Sequence, residues 1–225
     1  MTVSLMLCGC QQIPAVAETP AQNATPSTAE TDLKAAARLE RVNADLLAST
    51  SATLTLEKWC ADHNLASPAT IAVEHAPPTE NPITDAQRTR LQIGPDTEVR
   101  YRNVKLKCGD RTLSEAENWY VPSRLTAEMN TALTETKTPY GKVIRPLAPR
   151  RQTFALDRGI WLDAQLAPSG KMRPEPSAPP CQETVFSHSA LVLSGDNTPL
   201  AEVRENYKME LVCFDPLGAS RTTNQ

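Results

Sequence analysis

Hydrophobic and polar residues alternate over a stretch near the C-terminus, Pro199–Cys213. The two-residue period of a strand puts Ala201, Val203, Glu205, Tyr207, Met209, Leu211 and Cys213 on one face, and Glu202, Arg204, Asn206, Lys208 and Glu210 on the other. A carboxylate, Glu205, therefore stands in the middle of an apolar face. Val99–Cys108 shows the same anomaly with opposite sign, since the face carrying Val104, Leu106 and Cys108 also carries Arg102. An unpaired buried charge costs several kcal/mol, so such groups have a partner in the fold or in a ligand. Two readings stand side by side: a structural ion pair between Arg102 and Glu205, or a polar pocket for a small anion.

The same patterning sets out the remaining elements. Asp32–Ala48 has Leu33, Ala36, Leu39, Val42 and Leu46 at helical spacing, which predicts an amphipathic helix capped at Thr31 or Asp32. A short helix is predicted from Thr55, with Leu56, Trp59 and Cys60 inward, and Thr70–His75 reads as a strand. The span 76–96 is loop-like, with a helical turn around Asp85–Leu91. Thr97–Cys108 and Thr112–Val121 are predicted strands joined by Gly109-Asp110-Arg111, an antiparallel hairpin. Pro122–Thr136 opens with proline and carries Leu125, Met129 and Leu133 four residues apart, a helix that packs on the sheet. Thr138-Pro139-Tyr140-Gly141 predicts a tight turn in which Gly141 takes positive φ or lets a ligand approach the backbone. The basic segment Arg145–Arg151 reads as a solvated loop, and Ala167–Pro180, with five prolines, as an extended one. Glu183–Ser194 and Pro199–Cys213 form a second hairpin about Gly195-Asp196-Asn197. Paired hairpins without a βαβ alternation define α+β: a single domain, helices packed on an antiparallel sheet.

Composition narrows the partners. The chain has 225 residues, 40% hydrophobic, and a net charge of −3, with no Lys/Arg run and no basic patch interleaved with aromatics. Nucleic acid is accordingly not expected as a partner. No stretch approaches the roughly twenty apolar residues of a membrane span. Cys60-x-x-His63 has metal-like spacing, but His75 and His188 lie elsewhere and complete no zinc pattern, so no metal is expected.

Leu7-Cys8-Gly9-Cys10 resembles the lipobox of bacterial lipoproteins, whose last cysteine becomes the lipidated first residue of the mature chain. Residues 1–10 then read as a truncated lipoprotein signal with lipid at Cys10, and 11–31, rich in Ala, Pro, Thr and Gln, as a flexible tether. The folded domain is expected over 32–217 and a disordered tail over 218–225. This predicts a periplasmic, membrane-anchored protein; the alternative is cytoplasmic. Cys60, Cys108, Cys181 and Cys213 remain, compatible with one or two disulfides in any of three pairings. Cys108 and Cys213, on inward faces, are equally readable as buried thiols.

Several short motifs in order carry a wider resemblance: Arg102-Asn103-Val104-Lys105-Leu106, Tyr120-Val121-Pro122, Leu125, Thr138-Pro139-Tyr140-Gly141-Lys142, then Leu191-x-Leu193-Ser194-Gly195, Pro199-Leu200 and Glu205-x-Tyr207. Together they resemble the chorismate pyruvate-lyase family over about Leu46 to Val212. The resemblance implies a single α+β domain with an internal ligand cavity and elimination of pyruvate from chorismate to leave 4-hydroxybenzoate, for ubiquinone synthesis, without a cofactor. It assigns Arg102 to the ring carboxylate, Glu205 to the hydroxyl end and to catalysis with Arg102, and Tyr140 and Gly141 to the backbone around the carboxylate. The ligand class implied is a small carboxylated aromatic or cyclohexadienyl molecule. The alternative is a lipid-anchored periplasmic protein that binds such a ligand in the same pocket without turning it over.

Overall fold

A computed structural model describes residues 28–77, 80–166 and 178–214. Helix α1, Thr28–Ala48, buries Ala36, Leu39, Val42 and Leu46 as its periodicity requires. It begins inside the stretch expected to be tether and ahead of the expected cap, and Leu33 is 55% exposed, so its first turns lie beyond the core. Helix α2, Ala52–Asp62, turns Leu56, Trp59 and Cys60 inward as expected, but it starts three residues before Thr55. Its N-cap is Ser51, whose hydroxyl accepts from the Leu54 amide. The helical turn expected at Asp85–Leu91 is a helix, α3, closed by a capping box between Thr84 and Gln87.

The strands are β1 Ile71–His75, β2 Arg100–Cys108, β3 Arg111–Tyr120, β4 Arg150–Asp157, β5 Thr184–Leu193 and β6 Pro199–Lys208. They form one sheet in the order β1-β2-β3-β6-β5-β4, with every neighbour antiparallel. The α+β class, the single domain and both hairpins therefore stand as the patterning indicates. In the first hairpin Gly109 takes φ +57°, and a Cβ there would meet Ala66 Cβ at 2.9 Å, so glycine is required twice over.

Four segments differ from expectation. Pro122–Thr136 divides into a 3-10 turn, Pro122–Arg124, and helix α4, Ala127–Glu135, capped by Thr126. Residues 138–141 lead into a short helix, α5 Tyr140–Val143, and Gly141 has no positive φ. The stretch expected to be a solvated loop holds a 3-10 turn, Arg145–Leu147, and then enters β4, the edge strand. Beyond Lys208 the strand becomes a 3-10 turn, Met209–Leu211, which buries Met209 and Leu211 through the turn instead of by alternation. Helix α6, Ile160–Leu166, had no counterpart in the sequence reading.

One face of the sheet carries two apolar clusters. The first gathers α1, α2 and the lower rows of the sheet, including Val73, Leu106, Phe186 and Tyr207. The second gathers α4, α5 and the start of β6, including Leu133, Tyr140, Ile144 and Ala201. Two disulfides tie this layer down: Cys60–Cys108 joins α2 to β2, and Cys181–Cys213 joins the approach to β5 to the segment after β6. Cys108 and Cys213 are thus not free thiols. The lipidation site expected at Cys10 and most of the Pro-rich stretch lie outside the described residues.

Peptide mapping of non-reduced protein should recover Cys60 linked to Cys108 and Cys181 linked to Cys213. Closing loops of 48 and 32 residues, each bridge is worth roughly 2–4 kcal/mol, so reduction should lower the urea midpoint markedly. Free thiols at these four positions in the folded protein would contradict the pairing.

Candidate functional site

The strand register sets the inner face out in rows. One row runs Arg102, Asn118, Val203, Ala190 across β2, β3, β6 and β5, the next runs Val104, Ala116, Glu205, His188, and a third runs Leu106, Ser114, Tyr207, Phe186. Arg102 and Glu205 are two strands and one row apart, which places their Cα atoms about 12 Å from one another. Both are buried, at 7% exposure each, as their alternation required.

They do not pair. Arg102 spends one donor on the Thr138 carbonyl, Nη2 to O at 3.3 Å, and its Nε and Nη1 have no partner among the described residues. Burial pulls its pKa down to about 10, so it is still a cation at neutral pH. Glu205 is held by a different arginine. Arg151 Nη2 lies 2.5 Å from Glu205 Oε2, with both side chains under a tenth exposed, and the Tyr207 hydroxyl donates to the same oxygen at 3.0 Å. Burial, then the neighbouring carboxylate, holds the Tyr207 phenol well above its usual range, so it remains a neutral donor.

Behind this pair stands a histidine. Arg151 Nη2 is 3.3 Å from His188 Nδ1, and His188 Nε2 is 2.8 Å from Asn43 Oδ1 on α1. A guanidinium only donates, so Nδ1 accepts and the ring proton sits on Nε2, donating to Asn43. Burial, and after it the charge of Arg151, lower the His188 pKa to about 4. The ring is neutral across the physiological range.

Between Arg102 at one end and Arg151–Glu205 at the other lies a cavity of about 560 Å³ including its open mouth. It opens at the seam between the two apolar clusters. Val104, Ala116, Asn118 and Val203 form its sheet wall; Ser51, Ala52 and Thr53 at the start of α2 and Tyr140, Gly141 and Ile144 around α5 form the opposite one. Gly141 makes the packing close: a Cβ there would lie 3.2 Å from Ser51 Oγ and 3.3 Å from Thr53 Oγ1, so these hydroxyls would have to give way by a few tenths of an ångström. The Tyr140 hydroxyl is buried and has no partner among the described residues, and burial raises its pKa, keeping it a neutral donor. Arg102, Tyr140, Gly141 and Glu205, the four residues singled out in sequence, all line this one cavity.

Sequence reasoning missed Arg151, His188, Asn43 and Asn118. Arg151 was hidden by Pro146 and Pro149, which suggest a loop, although Arg151-Gln152-Thr153-Phe154 is compatible with a strand. His188 had a legible signal: it shares a strand face with Phe186, Ala190 and Val192, as Glu205 does with Val203. Asn118 likewise interrupts a face with Ala116 and Tyr120. Cys60 is in a disulfide and His63 packs on Trp59, ring centroids 4.1 Å apart, so that spacing is structural.

Fold and cavity together define a single-domain α+β protein of chorismate lyase-like architecture, with a buried, arginine-bearing cavity on the inner face of its sheet. The chain belongs to the same family as the uncharacterized protein y4mC of Sinorhizobium fredii, with which it is 37% identical over 203 residues, 86% of this chain and 83% of that one. No family model matches it. Among solved structures it is similar to PhnF from Mycobacterium smegmatis (11% identity, 75% of this chain, 68% of that chain, TM-score 0.47) and to the separately solved effector domain of PhnF (10%, 71% and 88%, 0.45). It is also similar to a GntR-family transcriptional regulator from Bacillus cereus (10%, 64% and 96%, 0.39). No residue role follows from these likenesses. The exclusion of nucleic acid drawn from the charge is withdrawn, because the proteins similar in structure include a transcriptional regulator.

The buried neutral histidine makes stability depend on pH. An unfolded His188 takes up its proton near pH 6.5, whereas the folded one does so only near pH 4. Acid therefore favours unfolding between those values, and the contribution, fully present above pH 6.5, declines by up to about 3 kcal/mol as pH falls to 4. Urea melts at pH 7 and 4.5 should show a larger loss for the parent than for His188→Gln; equal losses would mean that the ring is not neutral in the fold.

Proposed function

We propose that the protein binds a small carboxylate, aromatic or cyclic, in this cavity, with Arg102 as the partner of the carboxylate. The observation that carries this reading is the Arg102 side chain itself: a buried guanidinium, charged at neutral pH, whose Nε and Nη1 have no partner among the described residues. A cation in that state is completed by an anion, and a carboxylate offers about four lone-pair sites to its donors. The Tyr140 hydroxyl, without a partner among the described residues, supplies a further donor from the opposite wall. At the far end Glu205, fixed by Arg151 and Tyr207, presents an acceptor for a hydroxyl opposite the carboxylate. The span of about 12 Å between the two Cα atoms, less the reach of the side chains, suits one ring.

Binding is favoured over lyase chemistry by the state of Glu205. Elimination of pyruvate needs a proton delivered to the departing enolpyruvyl oxygen. A carboxylate in an ion pair with a guanidinium accepts hydrogen bonds and has no proton to give. The two disulfides support a working compartment in which thiols are oxidised, the periplasm.

Isothermal titration of the protein with 4-hydroxybenzoate should show binding that Arg102→Met weakens by roughly 10- to 100-fold, the worth of a charge-assisted hydrogen-bond pair. Chorismate incubated with the protein should yield no 4-hydroxybenzoate. Equal binding by parent and Arg102→Met would remove the site assignment, and turnover would restore the lyase.

A further inference from the structure

We infer that Asn118 is a specificity-determining residue of this cavity, one that selects a carboxylate carrying a second hydrogen-bonding group on its flank. The inference rests on the carboxylate site at Arg102. Asn118 sits on β3, one of the two central strands, directly opposite Arg102 on one side and Val203 on the other. It is 3% exposed and lines the cavity. Its amide makes no hydrogen bond to any described residue. Besides Arg102, the inward neighbours around it, Val104, Ala116, Val203 and Ala190, are apolar.

The Asn118 amide is not sealed off but opens on the cavity, so its donors and acceptor are left to water or to a ligand there, and buried amides in native proteins are almost always paired. Apart from Arg102, the positions beside it on this face hold Val and Ala side chains, which offer an amide no partner. Its free capacity therefore faces the contents of the cavity.

The register says which part of a ligand it meets. Opposite residues of an antiparallel pair lie about 5 Å apart, so Asn118 stands next to Arg102, while Glu205 is a row farther on. A ring that runs from Arg102 towards Glu205 passes Asn118 at the flank nearest its carboxylate and reaches Glu205 at its far end. Ala116, the next residue on the same face of β3, leaves room there for a substituent. A hydroxyl on the ring carbon one or two positions from the carboxyl-bearing carbon fits, because it both donates to the Asn118 carbonyl and accepts from its NH2. An ordered water would also satisfy the amide, and a ligand series separates the two.

The test compares benzoate, 2-hydroxybenzoate, 3-hydroxybenzoate and 4-hydroxybenzoate by isothermal titration on the full chain, with Asn118→Leu and Asn118→Ala as variants. In the parent, the 2- or 3-hydroxyl should tighten binding about tenfold over benzoate, the worth of one hydrogen bond. That preference should vanish in both variants, while benzoate and the 4-hydroxyl increment, which reads Glu205, stay within about twofold. Thermal melting reports folding, and if Asn118→Leu is too bulky for the wall, Asn118→Ala carries the comparison. Binding of all four ligands with no flank preference in the parent, or a preference that survives both variants, overturns the role of Asn118 and leaves the carboxylate site standing. No binding of any benzoate by the parent overturns both.

Discussion

A buried guanidinium with most of its donors unsatisfied is the constraint on which the inner face of this sheet turns. Placing Arg102 in an apolar wall is costly, and the fold returns only one hydrogen bond, from Nη2 to the Thr138 carbonyl. Among the described residues no carboxylate pairs with it. Glu205, the one acid on the same cavity wall, is committed to Arg151 and Tyr207. Two arginines and one carboxylate line the cavity, a surplus of one positive charge, and the proposed carboxylate site rests on that surplus.

Rigid surroundings hold this state. His188 and Asn43 brace Arg151 from behind, and because Asn43 belongs to α1, the first helix contributes to the wall although it does not line the cavity. On the other side, Gly141 lets α5 settle against the start of α2, which closes the cavity with polar backbone and the hydroxyls of Ser51 and Thr53. The Cys60–Cys108 bridge fixes α2 to β2, the strand that carries Arg102. The elements that frame the ligand space are thus cross-linked to those that charge it, consistent with a preformed binding site.

The sheet's outer face is organised differently. There Glu202, which the alternation places opposite to Glu205, is covered by Arg90 from α3 in a bidentate pair at 2.7 and 2.9 Å. Both acids of β6 are therefore paired with arginines, but Glu205 shares its cavity with a buried guanidinium, Arg102, whereas the pocket beside Glu202 holds the exposed Arg204. The contrast explains why the inner face carries the functional reading.

Sequence alone determined the parts that follow from local periodicity. The two-residue alternation marked β2, β3, β5 and β6 and set Arg102 and Glu205 apart as charges on apolar faces, because facing direction in a strand is fixed by parity. The 3.6-residue period gave the buried stripe of α1, and turn chemistry located both hairpins. Tertiary structure decided the pairings. Whether Arg102 meets Glu205 depends on strand order and row offset, which put the two about 12 Å apart, and on Arg151, whose approach to Glu205 spans 54 residues. Which cysteines join depends on how α2 and the segment after β6 settle on the sheet. Such contacts bring together residues distant in the chain, and no local pattern encodes the distance between them.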